Sequence, residues 1–235
     1  METNQSTLVI LPGLDGTDVF FRPFLALLPA SIQPIVVCYP HEGPNGYHDL
    51  LAIACRAVAG ISEFYVLGSS FSGPLAIMLA AAHPQKVRGI ILSATFLRSP
   101  RPGLTRWKFA ARAPVIRVLR AVRRLPVWLF RAHDDPFRRA KAETWKRVSA
   151  RCLAVRLRAV IDIDVRSAFR DTVQPVMCVV FVNDRLILRE YADEMLRHRP
   201  SARVLNLAGE HFAMYTDPAP FTAEIVRFIG SGNSV

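Results

Sequence analysis

The sequence lacks the features that mark several large classes of protein. Its first apolar run, residues 7–11, is too short to span a membrane, and no basic stretch precedes it. We therefore expect no signal peptide and a cytoplasmic location. No internal repeat or low-complexity tract is present, and a composition of 51% hydrophobic and 21% charged residues excludes a disordered chain. The 235 residues suit one domain with room for a small insertion.

Closely spaced metal-ligand residues are also lacking. The four cysteines lie far apart with no C-x-x-C pair, and the six histidines include no H-E-x-x-H pattern. We expect the cysteines to be buried free thiols, and we expect neither a metal ion nor an organic cofactor. The four cysteines are Cys38, Cys55, Cys152 and Cys178.

What the sequence does contain is an alternation of short apolar runs with helical segments. The predicted strands are residues 7–11, 35–38, 64–67, 87–93, 176–182 and 203–207. The predicted helices are residues 47–58, 71–82, about 191–197 and about 220–229. Strands that are apolar throughout are typical of a parallel sheet covered on both faces. The sequence therefore predicts an α/β fold with a mostly parallel sheet flanked by helices.

The alternation stops between residues 96 and 174, where five prolines divide short helical pieces without a clear strand. We interpret residues 1–95 and 175–235 as the core of the fold and residues 96–174 as an inserted helical cap. The net charge of +11 comes from the same region, since 20 of the 30 Lys and Arg residues lie between Arg98 and Arg170.

A serine stands at the junction of a predicted strand and the helix after it. The segment from Gly68 to Gly73 reads G-S-S-F-S-G, a variant of the G-x-S-x-G nucleophile elbow centred on Ser70. The elbow needs small residues two positions to either side of the nucleophile, because its backbone is strained, and Ser72 is small enough. The alternative interpretation is that the serines only cap the helix.

A base and an acid follow in the chain order that this chemistry requires. Asp184 comes just after the predicted strand 176–182, and His211 comes just after the strand 203–207. Taken singly, Asp184 is also consistent with a turn residue and His211 with a surface histidine. Because open α/β sheets bind ligands at the carboxyl ends of their strands, we predict a Ser70–Asp184–His211 catalytic triad.

Two backbone N–H groups are candidates for an oxyanion hole. One belongs to Phe71, the residue after the nucleophile, and the other to Leu14 in the loop L-P-G-L-D-G-T that follows the first strand. The alternative is a tight glycine turn with no catalytic purpose.

From residue 7 to residue 229 the chain resembles the α/β-hydrolase family. The resemblance rests on the elbow segment, on F-V-N-D-R-L-I and A-G-E-H-F as acid and base loops, and on L-P-G-L-D-G-T. Pro12 stands where many members have His, and Ser72 stands at the second elbow glycine. Within the family the chain is similar to small carboxylesterases such as pimeloyl-ACP methyl ester esterases of biotin synthesis. The resemblance implies ester hydrolysis, with a helical cap where residues 96–174 lie.

The residues predict acyl transfer through a covalent intermediate on Ser70, with a small acyl ester as substrate. A thioesterase or an acyltransferase uses the same triad with a different leaving group or acceptor, and a non-catalytic binding protein can keep the fold. The sequence leaves these alternatives open, together with the acyl chain length and the oligomeric state.

The basic segment supports two interpretations. Within residues 115–125, Arg117, Arg120, Arg123 and Arg124 lie mostly opposite an apolar helical face. The segment is then either a lid whose basic face meets water, or a surface for an acidic partner. Such a partner is an acyl carrier protein, a coenzyme A phosphate or an anionic lipid surface. No nucleic-acid module accompanies the charge, so we expect no nucleic acid.

If the basic face steers an acidic acyl carrier to the site, charge reversal at Arg120, Arg123 and Arg124 raises KM for a carrier-bound ester. The hydrolysis of a small soluble ester stays unchanged, because that substrate does not contact the basic face. Steady-state kinetics of the triple variant on both esters measures this, and equal loss on both, or on neither, contradicts it.

Overall fold

A computed structural model describes residues 5–100, 114–117 and 135–232 of the chain. Within these ranges six strands form one sheet, in which every neighbouring pair is parallel. The predicted α/β fold is confirmed. The strands are β1 (Ser6–Leu11), β2 (Ile32–Val36), β3 (Phe64–Ser69), β4 (Val87–Ser93), β5 (Val176–Phe181) and β6 (Arg203–Leu207), in the order β2-β1-β3-β4-β5-β6.

The inner strands are buried because both faces of the sheet are covered. Successive side chains of a strand point to opposite faces, so Val66 packs into the apolar cluster on one side of β3 and Leu67 into the cluster on the other. Strand β2 lies at the sheet edge and begins at Ile32, three residues before the predicted start. An edge strand tolerates Pro34 because one of its sides needs no backbone donor.

Helices cover both faces of this sheet. On one face lie α2 and α3 with α6, and on the other lie α1, α8 and α9. The described helices are α1 (Arg22–Ala26), α2 (Tyr47–Ala57), α3 (Gly73–Ala82), α4 (Pro136–Arg147), α5 (Ala150–Asp162), α6 (Arg166–Asp171), α7 (Glu190–His198), α8 (Ala213–Thr216) and α9 (Pro218–Gly232). Among them, none is both long and apolar enough to cross a membrane.

Helices α4, α5 and α6 come from the chain between β4 and β5, which is the predicted cap, and residues 114–117 are also helical. Phe169 of α6 is fully buried in the same apolar cluster as Leu50 of α2 and Leu75 of α3. The end of the inserted segment therefore packs against the core of the fold.

All four cysteines are free thiols, and two of them, Cys152 and Cys178, are buried. Cys55 is partly buried. The prediction of burial is wrong for Cys38, which is exposed because it follows the end of the edge strand β2. The sequence alone does not reveal which strand lies at the edge.

Candidate active site

Ser70 lies at an abrupt turn between β3 and α3. The strand ends at Ser69, a single 3-10 turn spans Ser70–Ser72, and α3 begins at Gly73. Ser70 has a φ of +50°, a conformation that costs about 1–3 kcal/mol for a residue with a side chain. The Thr95 hydroxyl donates a hydrogen bond to the Ser70 carbonyl and holds the turn from the end of β4. The strained backbone that the elbow motif predicts is present.

The turn depends on the missing side chain of Gly68. A Cβ at this position would collide with the Ser72 carbonyl oxygen and would lie 2.8 Å from the Ala76 Cβ. Such distances are far inside van der Waals contact, so β3 and α3 approach each other this closely only with glycine at position 68.

Ser72, which replaces the second elbow glycine, has a role of its own. Its side chain is fully buried, and its Oγ donates to the Pro12 carbonyl oxygen in the loop after β1. The Tyr39 hydroxyl lies 2.5 Å from the same Oγ, and it is the donor because the single Ser72 proton is already used. The serine therefore joins the elbow to the loop after β1.

Asp184 and His211 reach Ser70 from the loops after β5 and β6. The His211 Nε2 lies 3.0 Å from the Ser70 Oγ, and the His211 Nδ1 lies 2.7 Å from the Asp184 Oδ2. A proton shared with the carboxylate at Nδ1 leaves Nε2 as the acceptor for the serine proton. The structure thus brings the three sequence-predicted residues into one hydrogen-bonded chain.

The Asp184 carboxylate is held from two sides. Its Oδ1 accepts hydrogen bonds from the N–H groups of Leu186 at 2.7 Å and Ile187 at 3.0 Å. Burial alone would raise the pKa of this carboxyl. The hydrogen bonds from His211 and from the two backbone N–H groups outweigh burial, so the pKa of Asp184 lies below its ordinary value.

Both predicted oxyanion donors belong to residues close to Ser70 at this edge of the sheet. The Phe71 ring stacks on Tyr47 with centroids 4.7 Å apart, and the Phe71 carbonyl accepts a 2.7 Å hydrogen bond from the Tyr47 hydroxyl. Leu14 lines the cavity beside Ser70, and its N–H donates to no other described residue. That N–H group is therefore available to a ligand.

A cavity of about 280 Å³ opens in front of Ser70 and His211. Most of its wall is apolar or aromatic, contributed by α4, α5, α8 and the loops after β1, β5 and β6. These residues are Phe20, Phe21, Trp145, Val148, Leu153, Leu186, Phe212, Met214 and Tyr215. Asp15 also lines it, and burial raises the pKa of this carboxyl.

Helix α4 forms one wall of the cavity. Ion pairs join it to α1 and to the loop after β1. The Arg22 guanidinium lies 2.9 Å from Glu143, and that of Arg147 lies 3.2 Å from Asp18. These side chains are partly exposed, so each pair contributes at most about 1 kcal/mol. Together with the packing of Phe20 against Phe137 they position the wall.

Of the four basic residues predicted for a partner, the structure describes only Arg117. Arg117 is exposed and is absent from the cavity wall. Arg120, Arg123 and Arg124 lie outside the described residues. In the described ranges, no cluster of three His, Cys, Asp or Glu side chains is arranged to hold a metal ion.

Sequence reasoning missed one buried residue near the site, Arg156 of α5. It stands in the Arg-rich region and was counted with the other cationic side chains, yet it is fully buried. One signal for its burial is present in the sequence. Arg156 follows Cys152 by one helical turn and precedes Ala159 and Val160 by another, so it lies on the apolar face of the helix.

Comparison with known proteins finds one matching family and several solved structures that are similar to the chain. A family model described as "Alpha/beta hydrolase family" matches residues 8–224. The chain is similar to a solved carboxylesterase structure from Nitrososphaera gargenis, with 19% identity and a TM-score of 0.78 over 99% of this chain and 92% of that one. It is also similar to the enol-lactonase from Burkholderia xenovorans LB400, with 19% identity and a TM-score of 0.76 over 97% and 92%. An esterase from Exiguobacterium antarcticum matches at 15% identity and a TM-score of 0.76, over 97% and 92%.

The close approach at Gly68 predicts the effect of adding one methyl group. Gly68→Ala forces β3 and α3 apart and is expected to lower the free energy of unfolding by about 1–3 kcal/mol. Gly60→Ala is the matched control, because nothing lies within 4 Å of a Cβ there. Its effect is expected to stay below about 1 kcal/mol. Urea denaturation followed by circular dichroism measures both, and equal effects would contradict the packing described for the turn.

The lowered pKa of Asp184 predicts a pH-dependent contribution to stability. The carboxylate contributes in full above the ordinary Asp pKa of about 3.9, and the contribution is lost as the pH falls through the lower folded-state value. The stability advantage of the natural chain over Asp184→Asn is therefore expected to be constant near neutral pH and to shrink below about pH 4. Urea denaturation of both chains across this range is the measurement. A difference that does not change with pH would refute the prediction.

Proposed function

Because this chain belongs to the alpha/beta hydrolase family, we propose that it is a serine hydrolase that cleaves a carboxylic ester through an acyl-enzyme intermediate. The observation that carries the proposal is the hydrogen-bonded chain from the Ser70 Oγ through His211 to Asp184 at the base of an apolar cavity. A serine that only caps a helix needs neither a histidine at 3.0 Å nor a buried carboxylate behind that histidine.

The reaction begins with attack of the Ser70 Oγ on the ester carbonyl carbon, while the Oγ proton moves to the His211 Nε2. Asp184 keeps the histidine in the tautomer that accepts this proton, and it stabilises the imidazolium that forms. The N–H groups of Phe71 and Leu14 bind the oxyanion of the tetrahedral intermediate.

Collapse of the intermediate breaks the bond to the leaving alkoxide, which takes the proton from His211 and departs as an alcohol. Water then attacks the acyl-enzyme with His211 again as the base, and Ser70 is released with the carboxylic acid product. No step needs a metal ion or a cofactor.

The shape and polarity of the cavity support a class of substrate. About 280 Å³ of largely aromatic and aliphatic wall suits a small apolar or aromatic acyl group next to the ester. A finer proposal is an acyl methyl ester on an acidic carrier protein, of the pimeloyl-ACP type. The basic residues between Arg98 and Arg170 support such a carrier through charge complementarity.

A fluorophosphonate probe tests the proposal, since it reacts covalently with an activated serine. We expect labelling of the folded protein at Ser70 and hydrolysis of short p-nitrophenyl esters. Ser70→Ala is expected to abolish labelling and to lower kcat by roughly 10⁴-fold or more. Ser167→Ala, at an exposed serine outside this cavity, is the control and is expected to retain both activities. An unlabelled natural chain, or labelling that persists in Ser70→Ala, would refute the assignment.

A further inference from the structure

One guanidinium is enclosed completely in the region behind the active site. Arg156 of α5 is fully buried, and each of its three nitrogens donates a hydrogen bond. The Nη1 donates to the carbonyl oxygens of Leu14 and Asp15, both at 2.9 Å. The Nη2 donates to the Pro40 carbonyl at 2.9 Å, and both Nε and Nη2 donate to the Asn45 Oδ1.

The hydrogen-bond acceptors of this cation are unusual because they are uncharged, although the Asp15 carboxyl is near enough to interact with it electrostatically. A buried charge is normally paired with an opposite charge, since desolvation is costly. Among the described residues the acceptors of Arg156 are three backbone carbonyls and one side-chain amide. Two of those carbonyls belong to the loop after β1. The guanidinium is thus placed where it orients backbone groups of that loop.

The loop is close-packed around the guanidinium. Gly16 has a φ of +70°, and a Cβ there would lie 2.7 Å from the Arg156 Nη1. The Tyr39 ring lies beneath the guanidinium, with its centroid 5.3 Å from the Cζ, and the Tyr39 hydroxyl bonds to Ser72 of the elbow. Arg156 therefore contacts the loop directly and the elbow through one side chain.

Peptide planarity connects these contacts to the oxyanion hole. The Leu14 N–H belongs to the rigid peptide unit that also holds the Gly13 carbonyl, and that carbonyl accepts a 2.9 Å hydrogen bond from the Gly16 N–H. The Gly16 N–H in turn shares a rigid unit with the Asp15 carbonyl, to which the Arg156 Nη1 donates. The cation behind the loop therefore constrains the direction of the Leu14 N–H through the Asp15–Gly16 peptide unit and the hydrogen bond from Gly16 to Gly13. Oxyanion donors act because they are already oriented before charge develops.

We propose that Arg156 is a positioning residue, which holds the loop after β1 so that the Leu14 N–H points at the oxyanion formed on attack by Ser70. The helix that carries Arg156 comes from the inserted segment, so this segment completes the active site. The inference rests on the proposed hydrolase function.

The test compares Arg156→Lys with Arg158→Lys. Lysine keeps the charge but lacks the planar guanidinium that donates to three carbonyls and the Asn45 amide oxygen at once. Arg158 is the matched control because it lies on the same helix and is exposed, and within the described ranges its one hydrogen-bond acceptor is the Ala154 carbonyl of its own helix. Kinetics on a p-nitrophenyl ester are scaled to the folded fraction, which circular dichroism measures.

For Arg156→Lys we expect kcat to fall about 10- to 100-fold with KM changed less than about threefold, because misplacing a donor weakens binding of the transition state and not of the substrate. Inhibition by a trifluoromethyl ketone, which forms a tetrahedral adduct with the serine, is expected to weaken by a similar factor. Arg158→Lys is expected to match the natural chain in both measurements.

A second variant distinguishes the loss of the guanidinium group from a general loss of structure. Arg156→Ala is expected to recover part of its kcat when millimolar guanidinium is added, whereas sodium chloride at the same ionic strength does not restore it. Recovery with either salt alike would overturn the inference. So would an unchanged kcat, or a rise in KM alone, in Arg156→Lys. A natural chain that neither hydrolyses esters nor binds the ketone would instead refute the proposed function, and the inference with it.

Discussion

The contact between strand β3 and helix α3 at Gly68 is the constraint on which the rest of the site depends. Because no side chain separates the two elements, the chain passes from strand to helix within a single tight turn and holds Ser70 at a positive φ. The turn projects Ser70 at the carboxyl edge of a parallel sheet. The loops after β5 and β6 emerge at the same edge, so His211 and Asp184 need only short connections to reach it.

Much of this arrangement is readable in the sequence because its signals are local. Apolar runs in the middle of the sheet, the small residues around Ser70, and the loops at Asp184 and His211 each stand within a few consecutive residues. The α/β-hydrolase fold and the family that they predict are confirmed. The structure also brings Ser70, His211 and Asp184 together, while their catalytic roles stay predictions until the chemistry is measured.

The remaining features depend on contacts that no short pattern encodes. The Arg156 partners are mainly backbone carbonyls, which every residue possesses, so nothing in the sequence singles out the loop at Leu14 as their location. The start of β2 before Pro34 and the exposure of Cys38 both follow from the edge position of that strand, which is set by the order of the whole sheet. The role of Ser72 likewise needs Tyr39 and Pro12, which are distant in the chain.

The distances along the chain between interacting groups affect the order in which the site forms during folding. Ser70 and His211 are 141 residues apart in sequence, and Arg156 and Leu14 are 142 apart. Contacts of such high contact order form slowly, because a long loop must close before they contribute any stability. Because His211 follows β6, the last strand, it meets Ser70 only after that strand has joined the sheet. Until then Ser70 lacks the histidine that the proposed chemistry requires, so the elbow can form before the chain is able to use it.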